Sequence, residues 1–235
     1  MRIIPKNTAI LVFANSATEE AKHKAIPEGN LLFEHFNTAI LKKVKKTGVP
    51  HFLYTEKEQE GKTFGQRFSN AIQDVFNQGF EQVITIGNDT PLLTVADIHD
   101  AITALNTADS VIGPSVDGGA YLIGLKKIHF KAKLFAQLPW QTKKLRASLN
   151  ATMTTKGLRI AFLKYLNDVN SYQDLKRLIP ILHQLTTTLR QFILTIVSLS
   201  AVSKYHLVLW ISIYYQSVYY NKGSPAGYLT AYRVH

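Results

Sequence analysis

The chain reads as one α/β domain built on a mixed, mainly parallel sheet flanked by helices, and three observations predict it. Short apolar runs alternate with longer amphipathic stretches, the pattern of strand-helix repeats whose strands are buried on both faces. At 235 residues there is material for one α/β core and an appendage, and too little for two domains with separate large cores. Apolar residues make up 46% and charged residues 18%, a balance that buries enough surface to offset the entropy of ordering the chain.

The apolar run 8–14 is the first buried strand, and the polar stretch 15–27 after it reads as a loop. Leu31, Leu32, Phe36, Ala39, Ile40 and Val44 then recur at helical spacing, and Gly48 ends that helix. Residues 49–54 make a second strand, joined by a polar link over 55–62 to a helix with Phe64, Phe68, Ala71, Ile72, Val75 and Phe76 on its apolar face. Gly79 closes this helix, as the residue that takes the left-handed conformation at least cost. Val83, Ile84, Thr85 and Ile86 are too apolar for a sheet edge, so the third strand is expected at the centre.

Val95, Ile98, Ile102 and Leu105 mark a helix leading into a strand at 110–113, and another strand at 121–125 follows after only a tight turn. A parallel crossover needs a dozen or more residues, so this pair is expected to include antiparallel geometry. Helices around 130–138 and 143–155, a strand at 158–163 and a helix around 172–182 complete a domain assigned to residues 1–185.

Residues 186–235 differ in kind. The uncharged stretch 191–203 would form a helix of roughly 20 Å, shorter than a hydrocarbon core of about 30 Å. Extending it through Trp210 puts Lys204 near mid-span, a costly place for an ammonium. The aromatic cluster Tyr205, Trp210, Tyr214, Tyr215, Tyr219 and Tyr220 suits a membrane interface or a protein contact. The expectation is a helical tail packed on the domain or on a partner. Interfacial contact with the inner membrane is the second reading and a true span the third.

Composition removes several function classes. With no cysteine there is no disulfide, thiolate zinc site or cysteine nucleophile, and any metal must sit on oxygen or imidazole ligands, which favours Mg²⁺ or Mn²⁺. No Gly-x-Ser-x-Gly elbow occurs, and the eight histidines show no metal-ligand spacing. The net charge of +11 suggests nucleic acid at first, but Lys176, Arg177, Arg190, Lys204, Lys222 and Arg233 all follow the last acidic residue, Asp174, so about half of the excess lies beyond that residue. The run Lys42-Lys43-Val44-Lys45-Lys46 sits at a helix end, where cations complement the macrodipole, and no nucleic-acid partner is expected. The first seven residues carry charge and no apolar run of secretory length, which predicts a cytoplasmic protein, peripheral at the inner membrane if the tail binds there.

Two acidic residues stand where chemistry is expected. Asp89, in Gly87-Asn88-Asp89-Thr90-Pro91, follows an apolar strand, and in open α/β sheets ligands bind beyond the carboxyl ends of strands. A metal ligand facing a diphosphate fits that position, and so does an ordinary turn residue before Pro91. Asp117, in Gly113-Pro114-Ser115-Val116-Asp117-Gly118-Gly119, also follows a strand. Gly118 and Gly119 there permit positive φ and close approach to a ligand, or simply a hairpin turn.

Four passages run in order over residues 8–178: Thr63-Phe64-Gly65-Gln66-Arg67-Phe68, Gly87 to Leu93, Gly113 to Leu125, and Asp168-Val169-Asn170 with Asp174-Leu175. In these the chain resembles a family of bacterial proteins described as glycosyltransferases or nucleotide-diphospho-sugar transferases, with a GT-A-like fold and unassigned substrates. The resemblance implies a donor nucleotide over the first strand's loop and a Mg²⁺ or Mn²⁺ ion between its phosphates and acidic side chains. Asp89 and Asp168 match the positions that would hold the ion. Asp117 matches one that would face the acceptor as catalytic base or binding group, with Gly118 and Gly119 beside it. Lys22 and Lys24 match basic positions suited to the diphosphate. Arg67 matches an arginine of the third helix region, with a structural ion pair as its other reading, and Trp140 a tryptophan in a core or acceptor-stacking role.

The chain departs from that pattern in two places. Its first loop lacks the usual lysine soon after the strand and the Pro-Gly step, having no glycine over 15–27, and Asn170 stands where an acid is common. The function expected is metal-dependent glycosyl transfer from a nucleotide-sugar donor to an unknown acceptor. The alternatives are a nucleotidyltransferase using an NTP, whose usual glycine-rich basic loop is missing, and a non-catalytic nucleotide-binding or scaffold protein.

Overall fold

The computed structural model describes residues 7–198, and the compact unit that carries the sheet ends at Leu194. Its strands are β1 (Thr8–Phe13), β2 (His51–Tyr54), β3 (Gln82–Ile86), β4 (Ser110–Pro114), β5 (Ala120–Lys126) and β6 (Ile160–Phe162), in the spatial order β2-β1-β3-β5-β4-β6. All run parallel except β5, which is antiparallel to both β3 and β4, as the short connection between β4 and β5 requires. β3 lies inside the sheet, consistent with its apolar sequence, and the shorter β2 and β6 form the edges.

Side chains alternate across a strand, so β1 sends Ile10 and Val12 to one face and Ala9 and Leu11 to the other. On the first face, Ile10, Val12, Ile84 and Ile86 pack under α2 (Gly29–Lys46) and α4 (Val95–Thr107), through Ile40, Val44, Ile98 and Leu105. On the second, Leu11, Val83 and Ile123 meet α3 (Phe64–Asn77), α5 (Ala132–Ala136) and α6 (Leu145–Thr154), through Phe68, Ile72, Phe76, Phe135 and Leu149. At about 25 cal/mol per Å² these two faces supply the main favourable term in folding. Within α2 the stripe is rotated slightly from expectation: Leu31 is exposed and Phe33 is buried in its place.

One element was misread from sequence. The stretch 15–27 is not all loop but contains α1 (Ala17–His23), with Ser16 as its N-cap accepting from the Glu19 N–H and Glu19 and Glu20 in the first turn. Its apolar residues are only Ala17 and Ala21, which leaves no hydrophobic period to read. The small side chain serves packing, because a Cβ on Gly29 would sit 3.4 Å from the Ala21 Cβ. At the other end, α7 (Tyr172–Leu178) stops earlier than expected and tightens into a 3₁₀ turn, Ile179–Gln184, because Pro180 has no N–H for an α-helical bond.

Thr63 caps α3 with a reciprocal Thr63–Gln66 box, and this fixes where Gly65 enters. A Cβ at Gly65 would lie 2.1 Å from the Ala136 carbonyl oxygen and 2.6 Å from Trp140 Cδ1, so the backbone of the 136–140 segment would have to move. Gly65→Ala is therefore expected to destabilise the domain by about 1–3 kcal/mol, measured as a lower urea midpoint with an unchanged slope. An unchanged midpoint would show that the close approach is not tight.

Residues 187–194 are helical, with Leu189 and Ile193 buried. Among the described residues no helix is long and apolar enough to cross a membrane. The expectations for Lys204 and the aromatic cluster of the tail lie outside the described residues.

Candidate functional site

A cleft of about 1030 Å³ runs along the carboxyl ends of the parallel strands, with a polar wall from α1, the turn after β3 and the segment after β6, and an aromatic wall towards α3. The polar wall begins with the turn after β3. Buried Asn88 donates from Nδ2 to Asn37 Oδ1 on α2 at 2.7 Å, and Asn37 Nδ2 donates to the Asn15 carbonyl at 3.3 Å. The Gly87 N–H donates to the Tyr121 carbonyl at 3.3 Å. These bonds satisfy polar groups that burial would otherwise penalise, and they hold Asp89 at the cleft.

The segment after β6 is tied to the same turn. The Val169 N–H donates to the Asp89 carbonyl at 2.8 Å, and Thr90 Oγ1 donates to Asp168 Oδ1 at 2.5 Å. Asp89 and Asp168, predicted as partners, are thereby brought together. Burial pushes the Asp168 carboxyl up to about 7, and the nearby charges of Asp89 and Asp117 push the same way, outweighing hydrogen bonds from Thr90 and Ser115 that favour the anion. Two facing carboxylates of this kind repel unless a cation or a proton lies between them.

Lys24, just past α1, supplies one cation. Its Nζ donates to Glu20 Oε1 at 2.8 Å, Asp89 Oδ2 at 2.8 Å and the Val169 carbonyl at 3.1 Å, so all three ammonium hydrogens have acceptors. The side chain is 12% exposed. Burial works against its charge, but Asp89 and Glu20 outweigh that and hold its pKa above the ordinary lysine value. Lys22, by contrast, is exposed, pairs with Glu19 at 2.7 Å and does not line the cleft.

Asp117 stands on the loop between β4 and β5. Its Oδ1 accepts from the buried Ser115 hydroxyl and, at 3.0 Å, from the Gly119 N–H. Gly119 lines the cleft; Gly118 does not, and its role is the turn itself. With φ of 96° and a virtual Cβ 2.4 Å from the Lys143 carbonyl oxygen, the Gly118 position suits glycine for both conformation and space.

The aromatic wall consists of Phe13, Phe64, Phe68 and Trp140. Trp140 packs 5.1 Å from the Phe68 ring and 5.8 Å from Phe64, and its indole N–H donates to the Phe135 carbonyl at 2.8 Å. It is thus both fixed in the core and present at the cleft. Arg67 lines the cleft too, where Nε donates to Gln59 Oε1 at 3.3 Å. Among the described residues it makes no ion pair, so the structural pairing considered for it is not formed.

Sequence reasoning missed four participants. Glu20 shares Lys24, Thr90 and Ser115 orient the two carboxylates, and Glu56 closes the first loop by accepting from Ser16 N–H and Ser16 Oγ, both at 2.7 Å. Only Glu20 had a local signal, the Ser16-x-x-Glu19-Glu20 start of α1. The cleft as a whole is acidic: Glu19, Glu20, Glu56, Asp89, Asp117 and Asp168 line it against Lys24, Arg67 and Lys143. A chain of net charge +11 therefore keeps its cleft negative.

The fold is the GT-A-like one of nucleotide-diphospho-sugar transferases. It matches a candidate nucleotide-diphospho-sugar transferase from Desulfovibrio desulfuricans G20 with a TM-score of 0.65 over 74% of this chain and 86% of that one, at 23% identity. Rv0371c from Mycobacterium tuberculosis H37Rv matches with a TM-score of 0.50 over 73% and 97%, at 12% identity. Within the chain, residues 37–142 match the model of the family described as "Uncharacterized protein conserved in bacteria (DUF2064)". No curated protein matches the chain.

Proposed function

We propose that the protein is a glycosyltransferase that takes a sugar from a nucleotide-diphosphate donor with the help of Mg²⁺ or Mn²⁺. The observation that carries this reading is the convergence of Asp89, Asp168, Asp117 and Lys24 on one open cleft at the strand ends. Asp89 and Asp168 offer only hard oxygen donors, and their mutual repulsion is relieved by a divalent cation, so the residues fit Mg²⁺ or Mn²⁺. Among the described residues no third acidic or imidazole side chain joins them. The pair therefore suits an ion that keeps its waters and draws other ligands from substrate phosphates. When bound, the ion supplies charge neutralisation for the departing diphosphate.

The chain's own residues do the rest. Lys24 and Arg67 bring positive charge to the phosphates, and the aromatic wall with Trp140 gives a ring of the donor or acceptor a surface to stack on. Asp117 receives the acceptor's hydroxyl proton. Ser115 and the Gly119 N–H hold its Oδ1, which fixes the carboxylate's orientation at the cleft. Nucleotidyl transfer is the weaker reading because the first loop lacks the glycine-rich basic sequence usual for an NTP, and its Ser16 N–H is held by Glu56 at 2.7 Å.

The test is thermal. At a free nucleoside diphosphate concentration about a hundredfold above Kd with Mn²⁺ present, stabilisation of ~2.7 kcal/mol should raise the Tm by about 5–10 °C. No shift with any nucleoside diphosphate would end the proposal, and release of pyrophosphate from an NTP would replace it with nucleotidyl transfer.

A further inference from the structure

Resting on the reading of Asp89 and Asp168 as the ion's ligands, we propose that the Lys24 ammonium is a tethered counter-cation which a divalent ion must displace from Asp89. The displaced side chain then pairs with the donor's diphosphate.

Three features support this. Lys24 is saturated as it stands, with Glu20, Asp89 and the Val169 carbonyl taking its three hydrogens, so it has nothing to offer a phosphate without giving up an acceptor. The acceptor it would give up is a proposed ligand of the ion: Nζ lies 2.8 Å from Asp89 Oδ2, and two cations cannot share that oxygen without strong repulsion. The backbone of Lys24 is held, its N–H donating to the Glu20 carbonyl at 3.1 Å, whereas the side chain is a flexible four-carbon stem. An incoming ion therefore moves the ammonium and not the chain.

The exchange also answers the charge of the cleft. With Lys24 committed to Glu20 and Asp89, the remaining Asp117 and Asp168 disfavour a diphosphate. Once an ion takes over Asp89 and Asp168, both cations are available to the phosphates. Diphosphate binding is then coupled to ion binding through one side chain, and the coupling must hold in both directions.

The experiment is a titration of Mn²⁺ into the full chain without nucleotide, followed by electron paramagnetic resonance, comparing the native protein with Lys24→Met and Lys24→Gln. Lys24→Met is expected to bind Mn²⁺ at least about tenfold more tightly and, with Mn²⁺ present, to bind inorganic pyrophosphate about tenfold more weakly. Lys24→Gln keeps a hydrogen-bonding side chain but no charge, and should likewise tighten Mn²⁺ about tenfold. If Lys24→Met is unfolded, Lys24→Gln alone decides, since unchanged or weaker Mn²⁺ binding there overturns the proposal. Native protein that binds Mn²⁺ with an affinity Lys24→Met does not improve sinks the exchange but leaves the metal-dependent function standing. No Mn²⁺ binding to any of the three proteins removes both.

Discussion

Asp89→Ala is expected to reduce transfer at least about 10²-fold and to abolish the thermal shift produced by Mn²⁺ with a nucleoside diphosphate. The substitution removes a proposed ion ligand and also one of the two carboxylates that neutralise Lys24, at a side chain only 12% exposed. Breaking a buried pair costs about 3–5 kcal/mol when the remaining charge is left alone, and Glu20 stays to limit the loss here, so a destabilisation of about 2 kcal/mol is expected. Asp89→Asn separates the two effects. Its amide oxygen can still accept from Lys24, so most of the stability should return while turnover stays low. Activity that recovers together with stability in Asp89→Asn would assign Asp89 to the turn alone, the ordinary role its sequence also allowed.

Asp168→Asn should do the opposite to stability. A carboxyl held at about 7 in the fold and near its ordinary value of 3.8 in the unfolded chain binds a proton in the native state across that window. The native contribution of Asp168 therefore falls as pH rises from about 4 to 7, leaving a penalty fully developed above 7 and absent below 4. Three units correspond to at most ~4 kcal/mol, and about 2 kcal/mol is a reasonable expectation for a group coupled to its neighbour. Asparagine is isosteric and its oxygen can still accept from Thr90 Oγ1. Urea melts should show the variant more stable than the native protein at pH 8, with the gap closing towards pH 4. A gap independent of pH would mean that packing, and not charge, distinguishes the two. Donor binding should be weakened in the variant above about pH 7, where the native carboxyl is ionised and the amide carries no charge for the ion.

The two substitutions act on adjacent residues that stand in very different parts of the chain, and this shows what was legible beforehand. The strands were readable because burial imposes a period of two or a continuous apolar run. Thus β3 was recognised as interior from Val83 to Ile86, and the antiparallel β4-β5 pair from the shortness of its connection. Asp89 and Asp117 were readable as cleft residues because a carboxylate just past an apolar strand lies at the ligand-binding edge of such a sheet. α1 escaped because its helix is held by a cap and charges and buries little apolar surface. The committed state of Lys24 escaped for another reason. Its partners Glu20, Asp89 and the Val169 carbonyl come from three segments, and only one of them is local.

By itself, then, the amino-acid order determined the strands and the longer helices, the two-faced core and the presence of acidic residues at strand ends, all of which follow from local patterns of burial. Tertiary structure decided which charges meet. It set Asp168 against Asp89, tied Lys24 between Asp89 and Glu20, left Lys22 in solvent and made the cleft of a basic protein acidic. The reason is physical: a charge interaction depends on distance through space and on exclusion of water, and neither is a property of neighbours along the chain.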